Sequence, residues 1–190
     1  MNESPQLGLF SPNETVEIEI AFAIPEPLHG QILNLKRQIF AVAGNYDFSR
    51  SAPHISVHNF EVGVKSEKIV FSKIQKHLSL IRPINLHLDG FEFIPKQFMA
   101  WSKIFNRADF DDVRQAIKHL RLDIDKHNPN FSFHPHLTVA RMKSKEQYLQ
   151  LTEILEKTAL SGQYLLDKIL VQSPLAERNW EKREIGVIHL

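Results

Sequence analysis

The sequence predicts an α+β protein of two lobes related by an approximate two-fold axis, and three observations predict it. Strand-like and helix-like segments recur in the same order in both halves, and corresponding segments lie close to 80 residues apart. The centre of each half also holds nearly the same five residues.

Taken in order, TVEIEIAFAI at 15–24 alternates in its first half and stops at Pro25, as a strand does. Leu28, Ile32, Leu35, Ile39 and Val42 then recur at intervals of three and four, which predicts an amphipathic helix from Pro27 that ends near Gly44. After a Ser- and Arg-containing loop, Pro53 opens the short run HISVHNF. A second helix from about Ser66 to Ile81 places Val70, Ile74, His77, Leu78 and Ile81 on one stripe, and INLHLDGFEFI reads as a strand bent at Gly90. The order then restarts with a strand at about 97–105, followed by a helix after Asp109 carrying Val113, Ile117, Leu120 and Ile124. A loop with Asn128, Pro129 and Asn130 leads to Pro135 and HLTVARM; a helix near 145–158 and a strand near 163–172 complete the second half. IGVIHL is read as an unrelated closing strand, and residues 1–14 as a tail before a single bilobal domain at 15–190.

Composition narrows the function classes. The chain has 190 residues, 43% of them apolar, with 23 basic against 22 acidic side chains. That places it in the ordinary globular class, able to fold without disulfides or a structural metal. The absence of cysteine excludes a disulfide framework, thiolate zinc, iron–sulfur clusters and thiol catalysis. No apolar run approaches a membrane span of roughly 20 residues, and MNESPQLGLF lacks the pattern of a signal peptide. The expectation is a cytoplasmic monomer with no membrane partner. A net charge of +1 argues against broad nonspecific nucleic-acid binding, so any such contact must be local.

The repeated centre reads Pro53-His54-Ile55-Ser56-Val57 and Pro135-His136-Leu137-Thr138-Val139, 82 positions apart. Residues two apart in a strand share a face, so His54 points with Ser56 and His136 with Thr138, while the apolar residues between them face the interior. Proline suits a strand's first position, where its missing donor does no harm. A third run, His77-Leu78-Ser79-Leu80, lacks the proline and sits in a helical period, where positions two apart diverge; it is rejected. The four-letter pattern is therefore weak, and the proline, the strand context and the duplication make it specific.

These motifs, with the opening AFAIPEPL and the closing VQSPL before a last strand, resemble the two-histidine phosphoesterase superfamily, in particular its bacterial 2′-5′ RNA ligase-like and cyclic phosphodiesterase branch. The resemblance covers nearly the whole chain. It implies a bilobal fold in which two antiparallel sheets face a central cleft, helices lie on the outer faces, and both histidines project into the cleft. The family tends to carry an aromatic residue five positions after the first histidine; here Asn59 stands there and Phe60 follows. Arg141, five positions after His136, would be a further phosphate ligand. Simple alternation points it away from His136 and Thr138, so that role requires the strand to end or bulge near Ala140.

The implied chemistry is opening of a 2′,3′-cyclic phosphate or a 2′-5′ linkage, at an RNA end or on a nucleotide. It needs one proton taken from water and one delivered to the departing ribose oxygen. Two histidines in opposite protonation states supply both near neutral pH. Ser56 and Thr138 would donate hydrogen bonds to nonbridging phosphate oxygens, with no metal or other cofactor. Two other readings stand beside it: a nucleotide-phosphate-binding module without turnover, and a metal-dependent hydrolase using His54, His58, His134 and His136. His58 and His134 are otherwise read as orienting or solubilising residues. The basic run Lys65, Lys68, Lys73, Lys76 and Arg82 reads as a solvated helix face, with guidance of a phosphate backbone as the alternative should it border the cleft; Trp101, Phe48 and Phe133 could stack a base there, but aromatics in strands and before turns are more often core.

Overall fold

The structure is a computed structural model that describes residues 15–124, 133–175 and 178–190. The expected tail at 1–14 and the loop containing Asn128, Pro129 and Asn130 lie outside the described residues.

The first half runs β1 (Thr15–Ala23), α1 (Leu28–Ala43), β2 (His54–Gly63), α2 (Glu67–Leu78) and β3 (Ile84–Ile94). The second runs β4 (Met99–Ile104), α3 (Asp111–Ile124), β5 (Leu137–Arg141), α4 (Lys145–Glu156), β6 (Ser161–Leu166) and β7 (Lys168–Leu175), and β8 (Arg178–His189) closes the chain. The helical stripes bury as their spacing predicts: Leu28, Ile32, Leu35 and Ile39 in α1, Val70, Ile74 and Leu78 in α2, and Val113, Ile117 and Leu120 in α3. Val42 is an exception. It is exposed and Ala43 is buried in its place, because one further residue, about 100°, brings the side chain onto the inner face. Gly44 then stops the helix at φ 74°, a value only glycine adopts without strain, and its N–H donates to the Phe40 carbonyl. The bend at Gly90 is present as a break in the β3–β4 register between Leu88 and Phe91.

Two four-stranded antiparallel sheets result, ordered β2-β1-β7-β8 and β5-β4-β3-β6. The expected strand near 163–172 is two strands, interrupted at Asp167, and they belong to different sheets. Asp167 and Lys168 mark the interruption, but nothing local to the run says that its two parts join different sheets. The closing strand is also longer than IGVIHL, pairing along the whole of β7. As a result each half lends a strand to the other: β3 pairs with β4, and β7 pairs with β1. Phe22 of β1 meets Phe110 edge-on at 5.7 Å between ring centroids, and Phe110 meets Phe133 at 6.1 Å, so the aromatic packing runs from one lobe to the other.

Helix α2 covers β8, where the Phe71 ring lies directly over Gly186 and a Cβ at that glycine would collide with it. Gly186→Ala is therefore expected to cost about 1–3 kcal/mol of stability, as overpacking does. Denaturant unfolding checks this, and the double variant Gly186→Ala/Phe71→Leu should recover part of the loss. Among the described residues, no helix is long and apolar enough to cross a membrane.

Candidate active site

β2 and β5 are edge strands of their sheets, and the two come into contact. Along both, the first residues alternate as expected: Ile55, Val57, Leu137 and Val139 are buried, while His54, Ser56, His136 and Thr138 line one cleft of about 970 Å³. Each strand then bulges at the same place. Ile20 pairs with His58 and Ala21 with Ser56, leaving Val57 extra; Ala100 pairs with Ala140 and Trp101 with Thr138, leaving Val139 extra. A bulge resets which residues face the cleft, so Asn59, not His58, lines it beyond Ser56.

The two imidazoles are held alike. His54 Nδ1 lies 2.8 Å from the Ala52 carbonyl and His136 Nδ1 lies 2.8 Å from the His134 carbonyl. A carbonyl only accepts, so each Nδ1 carries a proton and donates it, leaving Nε2 for proton exchange. In both cases the acceptor belongs to the residue before the motif proline. Proline holds that residue in extended backbone, which gives the repeated Pro-His pair a reason beyond strand initiation.

Their surroundings differ. β1, beside β2, supplies Glu19, a carboxylate only 5% exposed. Its Oε1 lies 3.2 Å from His54 Nε2 and accepts a hydrogen bond from the Ser56 hydroxyl at 2.8 Å. Its Oε2 accepts from Gln172 Nε2 at 2.7 Å and from the Lys182 ammonium. Burial alone would raise the Glu19 carboxyl, but its bonds to His54 and Lys182 outweigh that and hold it well below the usual carboxylate range. β4, beside β5, supplies Trp101 instead. Its ring stacks on His136 at 4.3 Å between centroids. Burial, with added repulsion from His134, His54 and Arg107, pushes the His136 imidazole below its ordinary value; the bond to the His134 carbonyl only partly opposes this.

Four of the five sequence-predicted site residues are thus brought together. The bulge that Arg141 required is present, yet Arg141 is exposed at the end of β5, its carbonyl accepts from Asp47 N–H, and it is not among the cleft's lining residues. Lys143 lines the cleft instead. Ser56 donates its hydrogen to Glu19 in this structure. His134 contributes its carbonyl, and His58 stacks on Phe60. Phe133 is core, while Phe48 is half exposed on the cleft wall. The basic helix α2 packs on α3, where Lys73 donates to the Asp123 carbonyl and His77 pairs with Asp123, and it takes no part in the cleft.

Sequence reasoning missed Glu19, Gln172 and Lys182. The signal was faint: Glu17 and Glu19 occupy the polar face of an alternating strand, which ordinarily means solvent. Partners 153 and 163 positions away bury Glu19. Among the described residues, no group of three or more His, Cys, Asp or Glu is placed to hold a metal ion.

Solved structures share this architecture. E. coli LigT complexed with 3′-AMP superposes with a TM-score of 0.66 at 16% identity, covering 93% of this chain and 99% of that one. LigT complexed with NADP+ gives 0.62 at 17%, with 93% and 99% covered. TT0787 of Thermus thermophilus gives 0.62 at 12%, with 92% and 97% covered. No curated protein sequence matches the chain. Residues 24–174, which include both histidine motifs and the strands that hold them, match the 2′-5′ RNA ligase superfamily, and the chain belongs to that family of two-histidine phosphoesterases.

Proposed function

We propose that the protein is a metal-independent phosphodiesterase that opens a 2′,3′-cyclic phosphate, or a related 2′-5′ linkage, on a nucleotide or RNA end, and that can run the reverse ligation. One observation carries the reading: two imidazoles of the same tautomer, each fixed by a backbone carbonyl, line one cleft. The solved complexes of E. coli LigT with 3′-AMP and with NADP+ support a nucleotide as the kind of ligand.

The unequal surroundings assign the roles. His136, desolvated against Trp101, favours the neutral form and acts as base: its Nε2 takes a proton from water as the water oxygen bonds to phosphorus. His54, whose two ring nitrogens face the Ala52 carbonyl and the Glu19 carboxylate, acts as acid. As the ribose oxygen leaves phosphorus, His54 Nε2 delivers its proton to it. Thr138 donates to a nonbridging oxygen, and Ser56 does so once it turns from Glu19. Arg141, expected as a further phosphate ligand, does not line the cleft and carries no step of this scheme.

Turnover of 2′,3′-cyclic nucleotides with and without a strong chelator tests the proposal. Chelator-resistant turnover is expected, with kcat/KM rising and falling between roughly pH 5 and 8. Activity should climb as His136 loses its proton, so the acidic limb lies below the ordinary histidine value of 6.5. Chelator-sensitive turnover would instead indicate a metal-dependent hydrolase, and tight nucleotide binding without turnover a binding module.

A further inference from the structure

One wall of the cleft is the segment of residues 45–52 that joins α1 to β2, and it is pinned more firmly than a connecting loop requires. Lys36, on α1, is only 3% exposed. Its ammonium donates to the Phe48 carbonyl at 3.0 Å and the Ser51 carbonyl at 2.9 Å. Burial lowers Lys36 to about 8, the consequence of placing an ammonium against carbonyls instead of a carboxylate. From the other lobe, the Arg141 carbonyl accepts from Asp47 N–H at 3.0 Å, and Gln147 of α4 donates to the Ala43 carbonyl at 2.7 Å.

The residue held at the centre of this clamp is Phe48. Its φ of 68° is a left-handed conformation that a bulky side chain rarely adopts. Strain of this kind persists only where the surroundings over-determine it, and it concentrates at ligand clamps. The ring does not offset the strain by packing, since Phe48 is 45% exposed. It stands on the cleft wall among polar groups such as Asn45, Asn59 and Lys143. Tyr46, the neighbouring aromatic of that wall, is buried and turned to the Lys36 carbonyl.

We propose that Phe48 is the platform on which the base of a nucleotide substrate stacks, and that Lys36 is the positioning residue that fixes the platform. The proposal rests on the phosphodiesterase reading for its substrate, and it adds a preference for substrates that carry a base. Stacking on an aromatic side chain tolerates any base and is worth roughly 5- to 150-fold in affinity.

The test compares adenosine 2′,3′-cyclic phosphate with the base-free methyl riboside 2′,3′-cyclic phosphate, using wild type, Phe48→Ala, Phe48→Tyr and Lys36→Met, with calorimetric binding of 3′-AMP alongside. Phe48→Ala should raise KM for the adenosine substrate by at least about 5-fold with little change in kcat. The base-free substrate should lose far less, and Phe48→Tyr should restore the adenosine KM. Equal losses on both substrates, or no loss on either, overturn the platform. Lys36→Met should reproduce the KM effect where circular dichroism shows a folded protein; where it does not fold, the Phe48 series decides. Absence of turnover by wild type on both substrates refutes the phosphodiesterase reading instead, and the 3′-AMP affinities of wild type and Phe48→Ala then decide the platform on their own.

Discussion

His136→Ala is expected to lower kcat for a 2′,3′-cyclic nucleotide by roughly 10²- to 10⁴-fold, the usual worth of one general acid–base group. His54→Ala should fall in the same range, but the two losses should differ in form. Removing the base abolishes the acidic limb of the pH profile, because no group then has to lose a proton before water can attack. Removing the acid abolishes the alkaline limb. Both histidines are partly exposed on edge strands, so both variants should fold, which near-ultraviolet circular dichroism would verify. Retention of kcat within about tenfold by either folded variant would rule out paired imidazole catalysis.

Glu19→Ala should be the most destabilising of the substitutions near the cleft, by about 2–3 kcal/mol. It strands Lys182 and Gln172, both of which point their donors at the lost carboxylate, and breaking one side of a buried ion pair costs roughly 3–5 kcal/mol when the remaining charge is fully buried. Lys182 keeps some exposure, with 19% of its side chain accessible, which places the figure below that range. The pH dependence carries a sign. The Glu19 carboxyl titrates below its ordinary value of 4.5 in the folded protein, so its contribution is fully present above that pH and drains away as the pH falls toward the folded value. Urea unfolding of wild type should therefore lose stability below about pH 4.5, and Glu19→Ala should show a shallower acid slope. Identical slopes would mean that Glu19 does not carry that linkage.

What was legible in the sequence follows from which signals are local. Helix stripes such as Leu28-Ile32-Leu35-Ile39 repeat within a few turns, so spacing alone locates them. The paired Pro-His motifs were legible because the duplication states them twice. Glu19 was not, because its burial depends on strands that arrive from the far end of the chain. The division at Asp167 escaped for a related reason: a single polar pair, Asp167-Lys168, is ordinary within a strand, and that β6 and β7 join different sheets depends on distant partners. Arg141 shows a third case. The bulge and the strand end that its expected role required are both present, yet Arg141 does not line the cleft, and nothing in HLTVARM marks how far its side chain extends.

The reciprocal lending of β3 and β7 also bears on how such a chain can arise and assemble. An ancestral half of this length would carry a last strand with no sheet of its own to join, and it would find one most readily on a second copy of itself. Fusion of two such copies makes that mutual exchange intramolecular. It also means that pairing residue 21 with residue 170 closes a loop spanning most of the polypeptide, a step that slows folding. Neither half can reach its final form before the other has been synthesised.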